Sequence, residues 1–237
     1  MEHLPDDVLV TLMEYLDVEG LLACRLVCKR VGGLALHRDV WRHRQLPGYR
    51  CVCPVLRLAP RVASLSVELP HRRRCGLAYI ATRCAVTRLS LSLRKDYDAM
   101  RAAAVICRQE ALGRLRSVQV HFGRNLDDVS YVLGTLATTA DLEELQVTGL
   151  TYHVTATAAA VAVLGSPVST PSLRFFRCEL VPQTEHFVNF ILAGHAATLQ
   201  KVDVGHRSYD LRLDFTGHLL AVSLRSRDEF SMLWSYQ

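Results

Sequence analysis

The chain has 237 residues, half of them hydrophobic, with 28 basic and 23 acidic side chains and a net charge of +5. That length and apolar content exclude a disordered chain and leave room for one large domain or two small ones. The longest apolar run, Ala158 to Leu164, is far shorter than the roughly 18 residues that span a bilayer, so no membrane segment is expected.

The charge is uneven. Residues 1–20 carry six acidic side chains and no Lys or Arg, whereas residues 21–75 carry twelve basic against two acidic. This asymmetry points to an acidic partner near the front of the chain. The opening MEHLPDD is acidic and lacks a basic signal region, so an intracellular chain, cytoplasmic or nuclear, is expected. In that setting Cys24, Cys28, Cys51, Cys53, Cys75, Cys84, Cys107 and Cys178 read as reduced thiols.

In chain order, Pro5 suits the first turn of a helix, with Asp6 and Asp7 at the positive end of its dipole. Val8, Leu9, Leu12 and Leu16 recur at helical spacing. Asp17 is the expected N-cap of a second helix, whose apolar face is Leu21, Leu22, Cys24, Leu26 and Val27. Gly32 and Gly33 weaken the next segment, and Leu34, Leu36, Val40 and Trp41 form a third short cluster. A unit of some 40 residues is too small to be stable alone, so an exposed apolar face here asks for a partner.

Leu4-Pro5, Leu12, Tyr15-Leu16-Asp17, Leu21-Leu22, Arg25-Leu26-Val27-Cys28-Lys29-Arg30, Leu34-Ala35 and Val40-Trp41 follow in an order that resembles the F-box motif. The resemblance covers residues 1–46 and implies a three-helix module that docks on a Skp-family adaptor, and through it on a cullin–RING ubiquitin ligase. It implies adaptor contacts, or the packing beneath them, from Leu4, Pro5, Val8, Leu9, Leu12, Leu16, Leu21, Leu22, Leu26, Val27 and Cys28. One departure stands out: Val31 occupies a position where the family often has Trp, and Gly32-Gly33 follow. That loss of contact area is expected to weaken adaptor binding.

Residues 47–61, with Pro47, Gly48, Pro54 and Pro60, read as a linker. From 62 to 237 a pattern recurs: apolar, two others, apolar, one other, apolar. The copies start at Val62, Val86, Leu115, Leu142, Leu173, Leu199 and, weakly, Leu219. Their central residues, Leu65, Leu89, Val118, Leu145, Phe176, Val202 and Val222, stand 20 to 31 residues apart. Such a period marks a solenoid and resembles an irregular leucine-rich repeat array. The expected class is α/β, with a parallel curved sheet inside and helices outside. Helices are expected over Tyr97–Ala111, Leu126–Ala137, Val154–Leu164 and Glu185–Ala197, with Asn125 and Thr184 as N-caps of two of them. Phe230, Leu233, Trp234 and Tyr236 are expected to cap the far end.

Alternation along each strand puts the other residues on the concave face. Of these, Arg88, His121, Glu144, Gln146, Phe175, Arg177, Glu179, Lys201 and Asp203 are the candidates for binding a protein target. Phe175 with Arg177 is the most suggestive pair, because exposed aromatics and arginines anchor interfaces. The adjacency of Phe175 and Phe176 leaves open a one-residue slip that would bury Phe175 instead.

No chemistry-bearing motif is visible. Cys51-x-Cys53 lacks a second pair at zinc spacing, and there is no nucleophile elbow or phosphate-binding glycine loop. His71-Arg72-Arg73-Arg74 reads as a solvated turn, without the interleaved aromatics of a single-strand binder, so no nucleic acid is expected. Neither cofactor nor metal is expected, and no catalysis by this chain. The expected role is target recognition within a Skp–cullin–F-box ligase, in ubiquitin-dependent protein degradation. The alternatives are a non-degradative scaffold that binds the adaptor without cullin, and an enzyme using a reactive cysteine.

Overall fold

The computed structural model describes residues 4–47, 52–69, 76–95, 97–123, 126, 129–150, 170–181, 184–206, 222–226 and 231–234. Four short helices come first: α1 (Asp6–Glu14), α2 (Val18–Cys24), α3 (Lys29–Leu34) and α4 (Arg38–Trp41). Pro5 is the N-cap of α1, one residue earlier than expected. Asp17 caps α2 as expected, its carboxylate accepting from Gly20 N at 2.7 Å. The expected third helix is divided in two. Buried Trp41 donates its indole N–H to Ala35 O at 2.7 Å, which ties α4 back to the turn after α3.

The first strand, β1 (Gln45–Leu46), lies inside this N-terminal segment. It pairs in parallel with β2 (Arg61–Glu68), Leu46 against Leu65. The segment expected to be a linker therefore joins two neighbouring strands, and it folds into α5 (Cys53–Leu58), which buries Val55 and Leu56. Beyond it come α6 (Gly76–Ile80), β3 (Ala85–Leu93), α7 (Tyr97–Ala111), β4 (Ser117–Phe122), α8 (Ser130–Thr138), β5 (Glu144–Thr148), β6 (Phe175–Leu180), α9 (Glu185–His195), β7 (Lys201–His206), β8 (Val222–Ser226) and β9 (Ser231–Trp234). The expected helix Val154–Leu164, the Asn125 cap, Phe230 and Tyr236 lie outside the described residues.

The nine strands form one sheet in chain order. β1 to β8 run parallel, each beside the next, while β9 folds back antiparallel on β8. The fold is α/β with a largely parallel sheet. The antiparallel final pair departs from the expectation of a wholly parallel one.

Helices cover one face. α5 packs on α6, α6 on α7, α7 on α8 and α8 on α9, so they form a single layer. Val62, Leu65 and Val67 are buried, as are their counterparts in the copies that begin at Val86, Leu115, Leu142, Leu173 and Leu199.

The two-residue gap has a structural cause, seen in the copies that begin at Leu142, Leu173 and Leu199. In a straight strand, residues three apart face opposite sides. Here the Arg116 carbonyl accepts from both Glu143 N (2.7 Å) and Glu144 N (3.0 Å). The Glu143 carbonyl takes Arg174 N and Phe175 N in the same way, and the Arg174 carbonyl takes Gln200 N and Lys201 N. Two amides sharing one acceptor make a bulge, which inserts a residue and turns both flanking apolar side chains inward. At the other end of the strands, Gly149 has φ +80°, and a Cβ there would overlap the Phe122 carbonyl; only glycine fits.

One continuous core runs from Met13 and Leu21 through Trp41, Leu46 and Leu56 to Val202 and Val204. Arg61 reinforces the junction, reaching Asp39 at 3.2 Å. Arg44 donates to the Met13 and Glu14 carbonyls at the end of α1 (3.0 and 2.7 Å), adding to the Leu16 N–H that already reaches the Met13 carbonyl.

Candidate functional site: two binding surfaces

The first surface belongs to residues 4–36. Leu4, Val8 and Leu12 repeat at four-residue intervals and are all exposed, so one side of α1 is an uncovered apolar stripe. Tyr15 and Leu16 continue it at the end of the helix. Leu26 and Val27, in the turn between α2 and α3, are 88 % and 66 % exposed. Pro5 and Cys28 are exposed and Leu22 is half-buried.

Leu9 and Leu21 are different. They are 5 % and 0 % exposed, packed inside the protein, and cannot touch a partner. Tyr15, 85 % exposed, belongs to the surface although its helical spacing alone gave no reason to choose it. Arg30 holds the approach to α1 in place, donating to Asp6 Oδ1 (2.9 Å from Nε) and to the Leu4 carbonyl. Val31 packs against the core. A Cβ on Gly32 would lie 3.1 Å from the Arg25 carbonyl, so the glycine lets α3 close on the end of α2. Beside it is a depression lined by Arg25, Leu26, Cys28, Lys29, Gly33 and Leu36.

The second surface is the face of the sheet that the helices leave uncovered. Strand register arranges its side chains in rows. The first row reads Ser64, Arg88, Ser117, Glu144, Phe175, Lys201. The second reads Ser66, Ser90, Gln119, Gln146, Arg177, Asp203. Phe175 is half-buried on this face while Phe176 is fully buried, so the register does not slip.

Several of these side chains hold one another. Glu144 accepts from Ser117 Oγ at 3.0 Å and from Gln146 Nε2 at 2.5 Å. Arg177 meets Asp203 at 3.5 Å. Lys201 Nζ stands 5.5 Å above the centre of the Phe175 ring, within cation–π range. His121 Nδ1 is 3.2 Å from Thr148 Oγ1. Glu179 accepts from Gly149 N at 2.9 Å. Asp203 is 6 % exposed, so its carboxylate serves Arg177 and offers little surface of its own. Arg88 has no acidic partner among the described residues. Arg174 was not among the expected residues. It precedes its strand, where alternation has not begun, yet it lines one depression with Arg88, Arg116, Glu143, Glu144 and Phe175.

Three of the thiols on the body are poor nucleophiles. Burial pushes the Cys84 thiol up to about 12 and raises those of Cys107 and Cys178, which leaves little thiolate at neutral pH. Among the described residues no three His, Cys, Asp or Glu are grouped to hold a metal, and no helix is long and apolar enough to cross a membrane. His186 is exposed and His195 buried; His218 lies outside the described residues.

No curated protein matches this chain. Its first 46 residues do match a protein family: the one described as F-box-like, over residues 1–46.

Proposed function

We propose that this protein is the target-recognition subunit of a Skp–cullin–F-box ubiquitin ligase. The module of residues 1–46 docks on the Skp-family adaptor, and the uncovered sheet face of a leucine-rich-repeat-like body holds a protein target. The chain contributes proximity rather than chemistry, raising the effective concentration of a target lysine near the charged ubiquitin.

The observation that carries this reading is the stripe of Leu4, Val8, Leu12, Tyr15 and Leu16, with Leu26 and Val27, left in solvent by a segment that matches an F-box-like family. Burying a leucine side chain is worth about 1.5–3 kcal/mol, so so many exposed apolar residues are costly unless a partner covers them. Arg25, Lys29 and Arg30 add positive charge suited to steering an acidic adaptor.

The test is capture by a purified Skp-family adaptor, alone and with cullin. Leu16→Asp combined with Leu26→Asp changes only exposed positions. It is expected to weaken capture by about a hundredfold or more while the circular dichroism spectrum stays unchanged. Undiminished capture would show that the docking surface is misassigned. Capture of adaptor without cullin would favour a scaffold outside the degradation pathway.

A further inference from the structure

Arg88, Arg174 and Phe175 line a single depression on the uncovered sheet face. The acids around it are already engaged. Glu143 lies 3.7 Å from Arg116, and both oxygens of Glu144 accept from Ser117 and Gln146. Arg116 itself is held by Glu143 and Asp141. Arg88 and Arg174 have no acidic partner among the described residues. The depression thus offers two uncommitted guanidinium groups and a half-buried phenyl ring, over which Lys201 adds a further positive charge.

We propose that this depression binds an extended acidic segment of a protein partner, running across β3 to β6. One carboxylate sits on Arg88, an apolar side chain rests on Phe175, and a second carboxylate sits on Arg174. The assignment rests on the sheet face being the target-binding surface.

Register sets the spacing. Arg88, Ser117, Glu144 and Phe175 occupy one row on four adjacent strands, so Arg88 and Phe175 are about 14 Å apart. That distance is roughly four residues of extended chain. Residues four apart in an extended segment point the same way, so the first acid and the apolar residue both face the sheet. The segment leaves the extended conformation after the apolar residue, so the next side chain turns back onto Arg174 instead of pointing away from the sheet. The middle of the segment lies over Glu144, whose charge remains even though its oxygens are hydrogen-bonded, so it must be uncharged. The recognised pattern is acid, three uncharged residues, apolar, acid.

Fluorescence anisotropy of the full chain with a labelled Glu-Ser-Gly-Ser-Leu-Glu peptide in a Gly-Ser context tests this. Binding is expected to weaken as salt rises. It is expected to fall at least about tenfold when both glutamates become glutamine, or with Arg88→Ala and Arg174→Ala together. Replacing the central glycine by glutamate, or the leucine by serine, also weakens it, whereas Arg101→Ala on the helix layer leaves it unchanged. No binding by the unaltered chain overturns the proposal. So does equal affinity for the glutamine peptide, tighter binding of an RNA oligonucleotide of equal charge, or indifference to the double substitution. Adaptor capture measured on the same variants keeps the two readings apart. Peptide binding without adaptor capture refutes the ligase reading alone, and the reverse refutes the acidic segment alone.

Discussion

His195 is buried at the end of α9, and its Nδ1 accepts from the backbone N–H groups of Ser172 (3.2 Å) and Leu173 (3.3 Å). Two donors aimed at one nitrogen require it to be unprotonated, so the ring is neutral with its proton on Nε2. Burial lowers its proton affinity further. A base with a depressed folded pKa binds fewer protons folded than unfolded. Its contribution is complete above the unfolded value of about 6.5 and is lost as pH falls below it. The melting temperature is therefore expected to drop between about pH 7 and about pH 5. His195→Asn keeps an acceptor and should flatten that slope; an unchanged slope would remove His195 as the cause. Nothing in the sequence marks this histidine. It reads as one of two histidines on a predicted helix, because its partners are amides of the loop before β6 and spacing along a helix carries no trace of them.

At the scale of elements, the spacing of apolar residues was a reliable guide. Val118 and Val120, or Val202 and Val204, alternate as strands and are buried as such, and α7 spans the stretch its pattern predicts. The polar ties between coils were not legible. Gln109, fully buried on α7, accepts from Val86 N at 3.0 Å and donates to the Cys84 carbonyl at 3.2 Å. It does for the start of β3 what another strand would do, and an isolated glutamine on a helix gives no sign of it. Gln109→Leu leaves both backbone groups unpaired in the core. It is expected to cost about 2–4 kcal/mol, read from urea denaturation. A loss below about 0.5 kcal/mol would mean that the helix relaxes or water replaces the amide. The bulge carbonyls of Arg116, Glu143 and Arg174 are invisible for the same reason, although the two-residue gap they create is plain in the sequence.

Across the whole molecule, the sequence suggests a module and a body joined by a loose tether, and the structure instead joins them through a shared core. The reason lies in two elements too small to leave a pattern. β1 is two residues long, and α5 is a six-residue helix in a proline-marked stretch. Both bury residues in the core that also holds Trp41 and Leu65. A shared core should melt as a unit. In a Trp234→Phe background, Trp41 fluorescence and far-ultraviolet circular dichroism are expected to give coincident urea transitions. An earlier fluorescence midpoint would show that the first 46 residues unfold independently. The candidate surfaces were partly legible. Alternation placed Phe175 on the open face, but periodicity alone could not tell that Leu9 and Leu21 are interior while Tyr15 is not.

The two-residue strand at Gln45–Leu46 has a mechanical consequence. Because the sheet begins inside the segment proposed to dock, the two surfaces are built on one core. On the proposed reading, cargo held at β3 to β6 would present the same side to a ubiquitin donor on every encounter. Choice of lysine would follow from a fixed bearing rather than from random search, and loosening that strand would broaden the choice without weakening either grip.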